Sequence, residues 1–88
     1  MEYNTVDELR PVAMQAMEDV NAACNHYYRV CSYEAAGDYL MKASRAYSLL
    51  EIYSDFEPDN ESIDFLVDYY LDFLMNALQR VRVAHANP

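Results

Sequence analysis

The sequence predicts an all-α protein, an antiparallel three-helix bundle that runs up, down and up. Apolar residues recur at spacings of three and four along three segments, which is the period of a helix buried on one side. One glycine and three prolines in 88 residues leave few positions that interrupt a helix. The connections between the segments are short, and short connections join antiparallel neighbours. We therefore expect one domain, with helices over about 7–30, 33–54 and 61–83.

The first helix is predicted to begin at a capping box formed by residues 5–8, Thr-Val-Asp-Glu. Pro11 is comfortable only in the first turn of a helix, so the helix either starts at about Asp7 or Glu8 or is kinked at the proline. An apolar stripe then follows along one side of this helix. It comprises Leu9, Ala13, Ala16, Val20, Cys24, Tyr27 and Cys31.

The second helix has Ser32 as its predicted N-cap, with Glu34 in the first turn. Small residues on it would let a neighbouring helix approach closely. These are Ala36, Ala43 and Ala46. The apolar stripe of this helix comprises Ala36, Leu40, Ala43, Tyr47 and Leu50.

The third helix follows a break at Pro58, after which Asp59 or Asn60 can cap it. More than half of its circumference is apolar, so it is predicted either to sit between the other two helices or to be covered by something else. Its apolar face comprises Ile63, Leu66, Val67, Tyr70, Leu71, Leu74, Leu78 and Val81, extended by Phe65, Phe73 and Met75.

The apolar content is high for so short a chain. Apolar and aromatic residues make up 53% of it, although a domain of 88 residues buries only a modest part of its surface. Some apolar surface is therefore left for a partner or for a second copy of the chain, and we expect a homodimer. Nine tyrosines suit a surface that is wet in one state and covered in another. Of these, Tyr28, Tyr53 and Tyr69 lie off the core stripes and are the predicted contact residues.

The net charge is −9, from 15 acidic and six basic residues. Such a field repels nucleic acid and anionic membranes and attracts basic protein surfaces. We therefore expect a protein partner with a helical or basic surface, no direct contact with nucleic acid and none with a membrane. The alternative is that the charge only keeps an apolar protein in solution.

The two cysteines, Cys24 and Cys31, are seven residues apart on one predicted helix, about 10 Å along its axis and too far for a disulfide. They are interpreted as reduced core thiols, which indicates a cytoplasmic protein. The N-terminal residues contain neither the basic nor the apolar region of a signal peptide, and no stretch is long and apolar enough to span a membrane.

Catalytic and metal sites are not predicted, and neither is a cofactor. His26 and His85 are isolated from other metal ligands. The only glycine, Gly37, cannot form a phosphate-binding loop. Ser44 or Cys31 would need a positioned base to act as a nucleophile, and the sequence offers none. We therefore expect the protein not to be an enzyme.

The candidate binding site lies on the third helix. Residues 51–72 contain eight acids and no Lys or Arg. Asp64, Asp68 and Asp72 (here called the acid row) are spaced to share one helix face, although like charges at that spacing cost a few tenths of a kcal/mol per pair. The row is either a solvated face or a binding face that also includes Glu61 and Tyr69. A second candidate surface is an apolar groove formed by Phe65, Leu66, Phe73 and Met75.

The order of these elements resembles that of the FliS-type flagellin-export chaperones. That family has an opening Ser/Thr-x-Glu-Glu-Leu, a Lys-Ala pair in the second helix, a Leu-Asp-x-Glu break and a third helix with Leu-Tyr-x-Tyr/Phe-Met. The corresponding stretches here are residues 5–9 (TVDEL), 42–43 (KA), 54–57 (SDFE) and 68–73 (DYYLDF), within a resemblance that covers about 5–80. The chain departs from the family at residues 13–16 (AMQA), where the family has Leu-Tyr-Asp-Gly, and in lacking the final helix.

The resemblance implies a cytosolic chaperone whose apolar groove receives an amphipathic helix of an export substrate. The first functional hypothesis is therefore a chaperone or adaptor that covers a partner helix. The alternative is a small acidic inhibitor, of the kind that phages encode, which blocks a basic nucleic-acid-binding surface by mimicking nucleic acid. Groove mimicry would weaken steeply with salt, so the salt dependence of binding separates the two.

Overall fold

The computed structural model describes residues 4–86, and almost all of them are helical. The elements are α1 (Val6–Val30), α2 (Tyr33–Phe56) and α3 (Glu61–Ala86). Residues 4–86 contain no strand, and the predicted all-α bundle is confirmed. The bundle measures 43 × 21 × 19 Å, so its long axis is close to the length of one 25-residue helix at about 1.5 Å per residue.

Side-chain contacts between the helices define the up-down-up order. Arg10 near the start of α1 donates from Nε to the hydroxyl of Tyr53 near the end of α2, over 3.1 Å. At the other end, the rings of Tyr27 and Tyr39 lie 6.3 Å apart. Asn76 in the second half of α3 donates to the hydroxyl of Tyr39 near the start of α2, over 2.9 Å. Helix α2 is therefore antiparallel to both of its neighbours.

The middle position of the bundle belongs to α2, which packs along both α1 and α3. Its alanines Ala36, Ala43 and Ala46 are fully buried, as their small size predicts for a close helix approach. Of the two alternatives predicted for α3, the position between the other two helices is wrong, and the alternative that something else covers α3 stays a prediction. Because α3 packs mainly on α2, a large part of its apolar circumference remains in contact with solvent.

Each helix begins at a polar cap. Thr5 accepts a hydrogen bond from the backbone N–H of Glu8, and Ser32 accepts one from that of Ala35. Asn60 accepts bonds from the N–H groups of Ser62 and Ile63, so it is Asn60 that caps α3. Helix α1 starts at Val6, earlier than expected, which places Pro11 in its second turn.

Outside α3, two residues lie differently from their predicted positions. Tyr53, expected to be a contact residue, is buried, and its hydroxyl accepts the bond from Arg10. Cys31, expected to be a core thiol within α1, is exposed and lies just after the helix ends. Cys24 is half-buried against the core, and both thiols are free.

Cys31 ends α1 in the left-handed conformation, with φ 50° and ψ 34°. Its N–H donates to the carbonyl of Tyr27, which closes the helix. This conformation costs a residue with a Cβ atom about 1–2 kcal/mol, and glycine adopts it freely. The chain therefore carries backbone strain at the connection between α1 and α2.

Replacing Cys31 by glycine is expected to raise the free energy of unfolding by about 0.5–1 kcal/mol, since the relief of strain exceeds the extra entropy that glycine loses on folding. The urea midpoint should rise at an unchanged slope. Cys31→Ala is the control, because it removes the thiol and keeps the Cβ atom. An equal gain in both variants would show that the thiol, and not the backbone, is responsible.

A cluster of hydrogen-bonded side chains, here called the polar node, joins the three helices near the end of α1 and the start of α2. The side-chain amide of Asn76 in α3 bonds to the hydroxyl of Tyr39 in α2 and to that of Tyr28 in α1, over 2.9 and 3.1 Å. Tyr39 is fully buried, and this burial raises the pKa of its hydroxyl, with a smaller opposing effect from Asn76. Six residues before Asn76, Tyr70 is buried in the same helix and lies near Asn21 of α1. Burial raises the pKa of Tyr70 as well.

Candidate functional site

The acid row lies along the exposed side of α3, as its spacing predicts. Asp64, Asp68 and Asp72 are all exposed, and one helical turn of about 6 Å separates each from the next. Glu61, at the first position of the helix, is exposed too. At this end the positive pole of the helix dipole stabilises carboxylates, which offsets part of their mutual repulsion.

The first two acids of the row face α2. Asp64 accepts a hydrogen bond from the hydroxyl of Ser54 over 3.2 Å. Asp68 lies near Tyr47, whose pKa is raised first by burial and then by the carboxylates of Glu51 and Asp68. An open groove of about 460 Å³ lies on the same side. It is lined by Ser48, Glu51, Ile52, Ser54, Asp55 and Val67.

Basic side chains do not neutralise this surface. Within residues 4–86 the ion pairs join Asp7 to Arg10 and Asp38 to Lys42, and neither involves the acid row. The eight acids of residues 51–72 therefore give the end of α2, the loop after it and the first half of α3 an uncompensated negative field.

Phe65, Tyr69 and Phe73 form a continuous line of rings beside the acid row, and we call this line the aromatic ridge. The Phe65 and Tyr69 rings are stacked at 6.1 Å, and those of Tyr69 and Phe73 meet edge to face at 5.3 Å. Phe65 and Tyr69 are 67% and 47% exposed, whereas Phe73 is half-buried. The ridge rests on buried Tyr70, which stacks on Phe73 at 5.1 Å and anchors the line of rings to the core.

The ridge runs on the side of α3 that faces α1. Asn76, which follows Phe73 by one turn, bonds to Tyr28 of α1. Beside the other end of the ridge lies an open groove of about 440 Å³, lined by Glu61, Ser62, Phe65 and Leu66. Tyr69, which the sequence assigned to the acidic face, is thus part of the ridge and adjoins the row from one side.

The predicted apolar groove divides into two surfaces. Phe65 and Phe73 belong to the ridge, and Leu66 is half-buried next to it against the core. Met75 follows Phe73 by two residues, which turns it about 160° away around the helix axis. It is 57% exposed and lies on the opposite flank of α3, together with exposed Leu71. Leu71 was expected on the core face, where the helical spacing alone could not exclude it.

Other exposed apolar residues were not predicted from the sequence, because each is isolated on a polar helix face. Met14 of α1, and Tyr33 and Met41 of α2, are each more than half exposed. Asn76 also escaped it, because its role depends on partners 37 and 48 residues away.

Neither a metal site nor a membrane-spanning segment is found in the part of the chain that the structure describes. No group of three or more His, Cys, Asp or Glu side chains within it could hold a metal ion. None of its helices is sufficiently long and apolar to cross a bilayer.

Comparisons with known proteins found no relative, so the candidate site is interpreted from its own geometry. The sequence matches no protein-family model, and searches of curated proteins and of solved structures found no match either. The resemblance to the FliS-type chaperones stays a prediction. The molecule is thus placed by its fold, as an antiparallel three-helix bundle with an exposed acidic and aromatic face.

Proposed function

We propose that the protein is a non-enzymatic binding module, similar to a chaperone or adaptor, that covers a basic amphipathic helix of a partner protein. The observation that carries the proposal is the exposed aromatic ridge directly beside the acid row. Phe65 and Tyr69 stand in solvent on a rigid helix, anchored through Phe73 and Tyr70 to the core. The partner would lie on the ridge and extend toward the acids.

The aromatic ridge suits a helical partner because of its length and spacing. Its rings recur every four residues over about 12 Å, which matches an apolar stripe on a facing helix. Exposed aromatic rings lose water-contacting area when covered, and large aromatic anchors carry much of the energy of protein interfaces. A rigid, preformed ridge also loses little conformational entropy on binding.

The acid row suits the polar flank of the same partner. A helix that is apolar on one side and carries Lys or Arg beside that side would place its cations over Asp68 and Asp72. Rim charges of this kind act mainly on the association rate and on specificity. The row therefore favours a basic partner over an acidic one, while the aromatic ridge supplies most of the affinity.

A second candidate function is inhibition of a basic nucleic-acid-binding surface by mimicry. It is favoured by the eight uncompensated acids of residues 51–72. Its charge spacing is a weaker fit, since the row carries one charge per roughly 6 Å and a DNA strand carries one per ~3.4 Å. Mimicry also gives the aromatic ridge no part in binding.

The proposal is tested with an 18-residue amphipathic helical peptide that carries Leu along one face and Lys beside that face, and its binding is followed by fluorescence anisotropy. Exchanging both exposed rings, F65S/Y69S, is expected to raise the dissociation constant by about tenfold or more, because the apolar anchors are lost. D68N/D72N is expected to slow association and reduce its salt dependence while changing dissociation little.

Two matched control variants test whether the loss of binding is specific to the ridge and the acid row, or follows from removing any exposed apolar side chain or charge. M41S removes an exposed apolar side chain from α2, and E18Q/E34Q removes two exposed charges away from the row. Both should bind the peptide as the unchanged protein does. Equal binding by F65S/Y69S would reject the proposal. Loss of binding in D68N/D72N alone, with a steep salt dependence, would instead support mimicry.

A further inference from the structure

Helix α3 carries a second heptad seam outside the bundle. The seam that packs on α2 includes Ile63, Tyr70, Ala77 and Ala84, which recur every seven residues. A second set of residues, centred on the flank opposite the aromatic ridge and sharing Asp64 and Asp68 with the acid row, has the alternating four-three spacing of a coiled-coil contact. This second seam comprises Asp64, Asp68, Leu71, Met75, Leu78 and Arg82.

The second seam is accessible and apolar at its centre. Leu71 and Met75 are 36% and 57% exposed, and Leu78 is half-buried beside them. The ends are charged and also exposed, with two acids at one end and Arg82 at the other. Such an arrangement of apolar centre and charged ends is typical of an interface, since isolated exposed apolar residues lack this register.

The order of residues along the seam is self-complementary. An antiparallel copy of α3, centred level with Phe73, would place Asp64 opposite Arg82 and Leu71 opposite Met75. Asp68 would lie opposite Leu78, one turn from the same arginine of the other copy. A parallel copy would instead place Asp64 opposite Asp64 and Arg82 opposite Arg82, which is repulsive at both ends. The charges therefore select the antiparallel arrangement.

We propose that the protein forms a homodimer in which the second seams of two α3 helices pack antiparallel about a two-fold axis. A two-fold interface needs one surface that is complementary to itself, and this seam has that property. Contact would run from Asp64 to Arg82, about 27 Å along the helix. Because the aromatic ridge lies on the other flank of α3, the dimer would leave both ridges free. Asp64 and Asp68 of the acid row would lie in the dimer contact, and Asp72 would remain open to a partner. The dimer goes beyond the proposed function and does not depend on it.

Sedimentation equilibrium from micromolar to millimolar concentrations tests the apolar centre. The unchanged protein should sediment as a dimer, and Met75→Glu should raise the dimer dissociation constant by about tenfold or more, because a charge replaces an apolar side chain at the centre. Met14→Glu, an equivalent change at an exposed methionine of α1, should leave the constant unchanged. A strict monomer up to millimolar concentration, or a dimer that Met75→Glu does not weaken, would overturn the proposal.

Charge reversal tests the orientation. D64R and R82D should each weaken the dimer, since each places like charges opposite one another at both ends. A double variant, D64R/R82D, restores opposite charges only in the antiparallel arrangement, so it should dimerise as the unchanged protein does. Circular dichroism checks that each variant folds. A double variant that folds and remains as weak as the single ones would refute the antiparallel seam. Peptide binding is scored with F65S/Y69S, because Phe65 and Tyr69 lie outside the seam, so either proposal can fail alone.

Discussion

Replacing Ala43 by leucine is expected to lower the free energy of unfolding by about 1–3 kcal/mol, the typical cost of forcing extra methylene groups into a packed interior. Ala43 is fully buried in α2, the helix that packs on both others. A longer side chain here must push α2 away from its neighbours or adopt a strained rotamer. In a domain of this size a loss of 2 kcal/mol lowers the melting temperature by roughly 10 °C.

The measurement is urea denaturation followed by circular dichroism, at one fixed protein concentration because self-association would shift apparent stability. Ala22→Leu is the matched control, since Ala22 is exposed on α1 and an added side chain there points into water. Its effect should stay within about 0.5 kcal/mol. If Ala43→Leu were equally mild, α2 could not be the closely packed middle helix.

Local signals in the sequence were sufficient to place the helices. Ser32 and Asn60 end their connections with side chains that accept backbone hydrogen bonds, and each signal involves residues two or three apart. The acid row is equally local, because the spacing of Asp64, Asp68 and Asp72 fixes a common face in any helix. Such features follow from helical geometry alone.

The order of packing could not be predicted, because it depends on how whole helix faces compete. Helix α3 is the most apolar of the three by pattern, yet α2 takes the middle place because its alanines permit closer approach on two sides. The burial of Tyr53 could not be predicted for a similar reason, because it depends on a contact between two helices. Its partner Arg10 is 43 residues away, so no local pattern connects the two.

The sequence predicted which residues of α3 form the candidate site, but it did not predict that they separate into two surfaces. Helical spacing placed Phe65, Phe73 and Met75 on a wide apolar face, and only the position of α2 decides which parts of that face remain open. The aromatic ridge and the second seam are therefore tertiary consequences of an apolar helix packed at the side of a bundle. Each open flank then acquires its own chemistry, aromatic on one side and aliphatic with charged ends on the other.

Replacing Asn76 by leucine is expected to destabilise the fold by about 1–3 kcal/mol, the cost of leaving a buried polar group without its partner. Tyr39 is fully buried, and its hydroxyl accepts the Asn76 amide at 2.9 Å. The same amide bonds to Tyr28 of α1, so the substitution also disconnects α1 from α3 at this level. Leucine keeps a similar volume, which limits any contribution from a cavity.

A double-mutant cycle with Tyr39→Phe isolates the hydrogen bond, with unfolding free energies measured for both single variants and for N76L/Y39F. Once Tyr39 has lost its hydroxyl, leucine at position 76 no longer leaves a buried group unsatisfied, so the double variant should be more stable than the sum of the single losses predicts. The expected coupling is about 1 kcal/mol or more. Tyr28→Phe, paired with Asn76→Leu in the same way, should show a smaller coupling because the Tyr28 ring is 51% exposed and water can replace its bond. Additive losses in the Tyr39 cycle would show that Asn76 acts through packing, and the polar node would then not join the three helices.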